Sequence, residues 1–258
     1  MKLYTCQQGT EEWAALRIGI PTASQFHRIL TPKTMKPSAS ARGYLYELCA
    51  EWLLGMALDG GSSAFMDRGT GLEPQARAWY AFHREVDVQK VGFATTDDGL
   101  AGASADGLVG DDGGIEIKCK SIVEHVAALQ EPADESEHRA QVQGGMLIYE
   151  RLWWDRVYYH PSLPSLVVRI ERDDDYIARF APALAAFTEQ LRSARQRLLD
   201  IGCTPHVPEP RQPMPEWNPE WNEGGKPRIV DAVDAAIEAQ APPASYVFDA
   251  AEFDEEKF

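Results

Sequence analysis

Asp106, Glu116 and Lys118 stand close enough along the chain to do chemistry together, in Ser104-Ala105-Asp106-Gly107-Leu108 and Gly114-Ile115-Glu116-Ile117-Lys118-Cys119-Lys120. If Ile115 to Cys119 is a strand, its alternation puts Glu116 and Lys118 on one face and turns Ile115 and Ile117 toward a core. Asp106 then ends the preceding strand. The run Gly110-Asp111-Asp112-Gly113-Gly114 folds the chain back, so that Asp106 and Glu116 meet. Two carboxylates about 4 Å apart repel by roughly 4 kcal/mol at an effective dielectric near 20, so such a pair needs a cation. All-oxygen ligation suits Mg²⁺, with Mn²⁺ as a substitute, and the Ile117 carbonyl is a natural extra ligand. The Lys118 ammonium beside that metal orients or deprotonates a water and offsets charge on a phosphorane-like transition state. Nucleophile generation and charge stabilisation are the two needs of phosphodiester hydrolysis. Glu-x-Lys alone discriminates little, because charged residues are common enough to give about one per chain of this size. The competing reading is a surface Glu–Lys pair on an edge strand.

The elements that must position these residues are legible as periodicities. Glu11 to Arg17 reads as a short helix, and Thr22-Ala23-Ser24 offers an N-cap before Gln25 to Leu30. A polar loop, Thr31 to Ser40, carries Lys33 and Lys36. Leu45, Leu48 and Trp52 recur at helical spacing in Ala41 to Leu54, which ends at Gly55. Another helix opens at Glu73-Pro74 and runs to Arg84. The period then changes, and Val86–Ala94, Ala101–Val109 and Gly114–Lys120 read as three consecutive strands. A helix over Glu137–Tyr149, strands over Trp153–His160 and Leu166–Glu171, and a closing helix over Asp174–Leu199 complete a mixed sheet covered by helices. Adjacent Trp153 and Trp154 must face opposite ways on a strand, one into the core and the other outward, where it could sit at a subunit interface.

Residues 1–203 form one α/β domain on this reading, and 204–258 an acidic extension. From Thr204 onward there are twelve Asp/Glu and four Lys/Arg, leaving −7 of the total charge of −15 on the first 203 residues. Thr204–Arg228 holds seven prolines and a tandem Pro-Glu-Trp-Asn, and Ile229, Val233 and Ile237 recur four apart. That extension reads either as a flexible solvated tail or as a peptide that docks on a partner. The acidity weighs against indiscriminate nucleic-acid binding but leaves room for a local basic channel. No stretch reads as a membrane span or a signal peptide, so a cytoplasmic protein is expected. Cys6, Cys49, Cys119 and Cys203 fit no metal-ligand spacing and are expected to be reduced thiols.

The ordered series Gln8-Gly9, Trp13, Leu16-Arg17, Gly19, Thr22-Ala23-Ser24, Arg68-Gly69, Glu73, Ala105-Asp106-Gly107, Glu116-Ile117-Lys118-Cys119 and Ala140-Gln141-Val142-Gln143 resembles the YqaJ-type viral recombinase nucleases. These are the lambda-exonuclease-type branch of the PD-(D/E)xK superfamily. The resemblance runs from about Gln8 to Gly202 and implies a restriction-endonuclease-like α/β fold, a mixed central sheet flanked by helices. It also implies roles: Asp106, Glu116 and the Ile117 carbonyl on the metals, Lys118 assisting the attacking water, and Glu73 as a further acid nearby. Gln143 matches the second Gln of a Q-x-Q motif at the active site. Arg17 and Ser24 match residues that hold the 5′-phosphate of the shortened strand, for which a guanidinium fork and a hydroxyl at a helix start are suited. Lys33 and Lys36 are candidates for gripping DNA, with a solvated loop as the alternative. Two positions depart from the family pattern: Ala105 stands where Pro is common, and His138 where a Tyr occurs.

The implied activity is Mg²⁺-dependent 5′-to-3′ digestion of one strand of linear double-stranded DNA, leaving 3′ overhangs for recombination. A homotrimeric ring, a single-strand annealing partner and a phage or prophage origin in a bacterial host come with it. Two rivals stay open: an internally cutting or structure-specific endonuclease of the same superfamily, and a non-catalytic DNA-end-binding scaffold.

Overall fold

The computed structural model describes residues 1–58, 64–130 and 138–206, the side chains of 64–70 excepted. The extension from residue 207 on, with its Trp pair and amphipathic stretch, lies outside them. Strand β1 (Lys2–Tyr4) precedes α1 (Glu11–Arg17), a 3-10 turn (Ala23–Arg28), α2 (Ala41–Leu54) and α3 (Ala64–Arg84). Short strands follow: β2 (Val88–Gln89), β3 (Phe93–Thr95), β4 (Gly102–Ala103), β5 (Gly107–Val109) and the longer β6 (Gly113–Lys118). The chain closes with α4 (Ile122–Gln130), α5 (Arg139–Tyr149), β7 (Trp153–Tyr158), β8 (Leu166–Glu171) and α6 (Asp174–Asp200).

Local chemistry accounts for several boundaries. Thr10 caps α1 by accepting from the Trp13 N–H, and Gly55 ends α2 in the left-handed region at φ +66°. Asp173 caps α6 by accepting from Tyr176 N. The 3-10 turn starts at Thr22 with no side-chain cap, so Ser24 lies inside the turn rather than capping it. Helix α3 begins at Ala64, well before the Glu73-Pro74 start expected, and Pro74 lies in its interior. There its missing N–H forfeits one intrahelical bond instead of marking a first turn.

The strands depart most from expectation. Val86–Ala94 and Ala101–Val109 are not continuous strands: each is split between two sheets. One sheet has the order β1-β3-β4 and the other β2-β5-β6-β7-β8. From β2 onward the chain changes sheet twice, between β2 and β3 and again between β4 and β5. Asp106 sits at the second change, just before β5, instead of at the end of a strand. Only β6 and β7 pair in parallel, so the larger sheet is mixed.

Helices cover both faces of the larger sheet. Ala76 and Tyr80 of α3 pack with Val109, Ile115, Ile117 and Val157 on one side. On the other side Trp154 joins α5, α6, α2 and the small sheet in the main core. Trp153, half-buried, instead carries the Arg169 guanidinium over its ring at 3.6 Å. None of the four cysteines is in a disulfide. No helix among the described residues is long and apolar enough to cross a membrane.

Helix α5 is buried almost all round, which requires small residues where neighbours approach. A Cβ on Gly144 would lie 2.3 Å from Phe26 Cδ2. Gly43, exposed on α2, has no atom within 4 Å of its notional Cβ. Gly144→Ala is therefore expected to destabilise by about 1–3 kcal/mol through overpacking. Gly43→Ala is expected to stabilise by about 1 kcal/mol through helix propensity. Urea unfolding of both variants checks the pair, and a neutral Gly144→Ala would refute the packing argument.

Candidate active site

The polar groups of the Ala105-Asp106 backbone are tied down in every direction. Ala105 N–H donates to Tyr149 Oη at 3.2 Å, a bond that proline could not make. Ala105 O accepts from Gln8 Nε2 at 2.7 Å. Asp106 N–H donates to Ile115 O at 3.2 Å, and Asp106 O accepts from Arg77 Nε at 2.8 Å. Tyr149 Oη also donates to Ala103 O at 3.1 Å, so one phenol from α5 joins the end of β4 to this bend. The three-residue turn Gly110–Asp112, with Gly110 at φ +54°, returns the chain so that Gly107 pairs with Ile115. Beyond that pair, the Asp106 carboxylate continues the ladder by accepting from Ile117 N–H at 2.6 Å. Backbone alternation directs the Ile117 carbonyl to the same edge of β6 as that N–H.

Glu116 and Lys118 share a face of β6, as alternation requires, while Ile115 and Ile117 are buried beneath α3. Lys118 Nζ donates to Glu116 Oε1 at 2.9 Å, and the same oxygen accepts from Gln141 Nε2 at 2.7 Å. Gln141 Oε1 faces Lys118 Nζ at 3.4 Å, which closes a three-residue knot between β6 and α5. Asp106 keeps some exposed surface, but surrounding atoms desolvate its carboxyl. That desolvation and the Glu116 charge hold its pKa well above the usual carboxylate range. Burial also raises Glu73, against Arg77, with Glu116 adding to the rise. Burial draws Lys118 down, but the charge and hydrogen bond of Glu116, joined by Asp106, outweigh it and leave the lysine an ammonium.

Glu73, Asp106 and Glu116 thus feel one another's charge at one end of β6. The oxygen donors, three carboxylates and the Ile117 carbonyl, suit a hard divalent cation by type. Two of these oxygens have partners within the protein, Glu116 Oε1 with Lys118 and Gln141 and Asp106 Oδ2 with the Ile117 N–H. Accordingly, no group of three His, Cys, Asp or Glu side chains stands at metal-holding spacing among the described residues. The donor set suits such a cation by chemistry, and holding one would require these oxygens to draw together.

Arg17 lies on the other side of the same bend. Its Nη1 donates to Ser104 Oγ at 3.1 Å, and Trp13 Nε1 donates to the same oxygen at 2.9 Å. The guanidinium stacks 4.2 Å from the Trp13 ring centroid. Burial draws its pKa below the usual arginine range, and its hydrogen bond goes to a neutral hydroxyl. Ser24 is exposed, 3.3 Å from Thr22 Oγ1, and Thr22 bridges to Gly102. Arg17 thus meets the chain at Ser104, two residues before Asp106, while Ser24 lies on the turn that meets β4 through the Thr22–Gly102 bridge. Lys33 and Lys36 are exposed on the turn that Leu30 and Pro37 close.

Gln143 is placed differently from its expected role at the active site. It is buried, and its amide donates to Glu171 O at 2.9 Å and accepts from Asp173 N at 2.9 Å. Two residues apart on a helix is about 200° of rotation, so only one glutamine of the Q-x-Q can reach Glu116. That one is Gln141. The sequence also passed over Ser104, Arg77 and Tyr149. Gln141 and Ser104 lay inside quoted motifs, whereas Arg77 and Tyr149 carried no local signal.

The profile of the YqaJ-like viral recombinase domain matches residues 12–151. An alkaline exonuclease, LHK-Exo, from Laribacter hongkongensis is similar at 36% identity and a TM-score of 0.67, over 74% of this chain and 97% of that one. LHK-Exo in complex with dAMP is similar at 37% identity and a TM-score of 0.66, with the same 74% and 97% coverage. A phage-related exonuclease from Haemophilus somnus 129PT shares the fold at a TM-score of 0.57 and 18% identity, over 69% and 96%. No curated protein matches the chain. Its mixed sheet flanked by helices is the restriction-endonuclease-like fold expected from the sequence. The chain belongs to the YqaJ-like viral recombinase family.

Proposed function

We propose that the protein is a Mg²⁺-dependent exonuclease that digests one strand of linear double-stranded DNA from its 5′ end and leaves a 3′ overhang for single-strand annealing. The observation that carries this reading is the Glu116–Lys118–Gln141 knot beside the desolvated carboxyls of Asp106 and Glu73. Membership of the recombinase family and likeness to an alkaline exonuclease support it.

Asp106, Glu116 and the Ile117 carbonyl would hold the metal, with Glu73 beside them. When bound there, the metal would supply Lewis-acid charge and ease deprotonation of the attacking water. The chain's own contribution is positional. Lys118 holds an ammonium next to the carboxylates, where it orients water and offsets charge developing on the phosphoryl oxygens. Gln141 keeps Glu116 and Lys118 in register. Arg17, with Trp13 and Ser104 behind it and Ser24 across β4, is the candidate cradle for a 5′-phosphate. Lys33 and Lys36 are candidate contacts to the duplex. A homotrimer and a single-strand annealing partner belong to the same reading, on the strength of the family resemblance.

Three measurements test this assignment. Linear duplex labelled at the 5′ ends is expected to lose its label early in Mg²⁺, with EDTA or Glu116→Ala abolishing release and covalently closed circles left intact. Early loss of a 3′ label would overturn the polarity, cut circles the exonuclease reading, and Glu116-independent release the site. Arg17→Ala is expected to erase any preference for 5′-phosphorylated over 5′-hydroxyl ends while hydrolysis persists; a retained preference would remove Arg17 from the cradle. Gln141→Ala is expected to lower kcat at least tenfold with unchanged stability. Gln143→Ala should instead cost about 1–3 kcal/mol of stability by orphaning buried backbone groups, read by urea unfolding. The reverse pattern would exchange the two roles.

A further inference from the structure

Arg156 stands on β7 directly opposite Glu116 in the parallel register, so the two side chains leave the sheet on the same face. It is only 1% exposed. Its Nη1 donates to Tyr158 Oη at 3.1 Å, while Nε and Nη2 have no hydrogen-bond partner among the described residues. A guanidinium cannot shed its charge on burial as a lysine can, and among the described residues no carboxylate hydrogen-bonds to it. The neighbouring buried carboxylates are already served. Glu116 has Lys118 and Gln141, and Asp155, on the opposite face of β7, has Arg169 and the Tyr80 hydroxyl.

An unpaired buried guanidinium with two idle donors is unfavourable for folding alone. It becomes favourable when an anion with planar-fork geometry arrives, and phosphate oxygens match that geometry. Arg156 is near enough to Lys118 for its charge to act on the lysine. The anion that the proposed reaction brings to this face is a phosphoryl group.

We propose that Arg156 is a phosphate-binding residue, its Nε and Nη2 groups donating to phosphoryl oxygens of a nucleotide bound beside Lys118. This rests on the nuclease reading of the site. Its surface is closed in the present state, so engagement requires the flexible stem to change rotamer from Tyr158 toward Lys118. The fork supplies direction as well as charge, which an ammonium cannot reproduce.

Calorimetric titration of the full chain and of Arg156→Met with dAMP, inorganic phosphate and deoxyadenosine, in EDTA and in Mg²⁺, tests the assignment. The substitution is expected to weaken dAMP and phosphate at least tenfold and to leave deoxyadenosine unchanged. Its Tm should equal or exceed that of the wild type, because an apolar side chain replaces an unpaired buried charge. Arg156→Lys should lose part of the dAMP affinity and carries the test if the Met variant does not fold. Unaltered dAMP affinity in a folded variant, or a wild type that binds neither dAMP nor phosphate, would overturn the proposal. A fall in Tm with dAMP binding intact would assign Arg156 to structure alone. DNA digestion by the wild type reports separately on the nuclease reading, so the two fail independently.

Discussion

Carboxylates repel, and bringing Glu73, Asp106 and Glu116 to one end of β6 opposes folding unless the chain holds them there. A native state is stable by only about 5–15 kcal/mol, so repulsion of several kcal/mol in a desolvated place must be offset locally. The offset is visible. Lys118 lies on Glu116, Gln141 shares the same oxygen, Ile117 donates to Asp106, and Arg77 stands between Glu73 and the Asp106 backbone. Much of the rest of the domain serves to keep those partners in place.

The bend at Ala105-Asp106 shows how. A chain leaving one sheet for another exposes backbone donors and acceptors that neither ladder satisfies, and such groups are costly when buried. Here they are taken up by Gln8 from the N-terminal segment, Arg77 from α3 and Tyr149 from α5. Three elements distant in sequence thereby fix one aspartate. The usual proline before this aspartate would forfeit the Tyr149 bond, so Ala105 is the residue compatible with this anchoring. Parallel pairing of β6 with β7 then aligns Arg156 with Glu116 and Tyr158 with Lys118, which sets a second cation on the same face.

Helix α5 divides its labour by rotation. Gln141 turns to the carboxylates and Gln143 to the backbone at the end of β8 and the start of α6. The same helix admits Phe26 only because residue 144 is glycine. Arg17 is joined to the bend through a hydroxyl that also accepts from Trp13, so the proposed phosphate cradle and the carboxylate cluster share the segment Ser104–Asp106. Contacts from α1 and α5 thus converge on one short stretch.

Residue order by itself determined the strand that carries Glu116 and Lys118, its buried alternate face, the glycine turn that returns to Asp106, and the long helices. These follow from periods of two and 3.6 and from turn chemistry, which act between near neighbours. The ordered motifs also pointed to the family. Tertiary structure alone decided the division of the early strands between two sheets, because strand pairing depends on partners far along the chain. It decided that α3 runs through Pro74, since packing outweighs one lost hydrogen bond. It chose Gln141 over Gln143, a matter of helix rotation against the sheet that no motif encodes. Arg77, Tyr149 and Arg156 likewise carry no sequence signal: what each does is set by the distant groups it meets, or fails to meet, when burial removes water as an alternative.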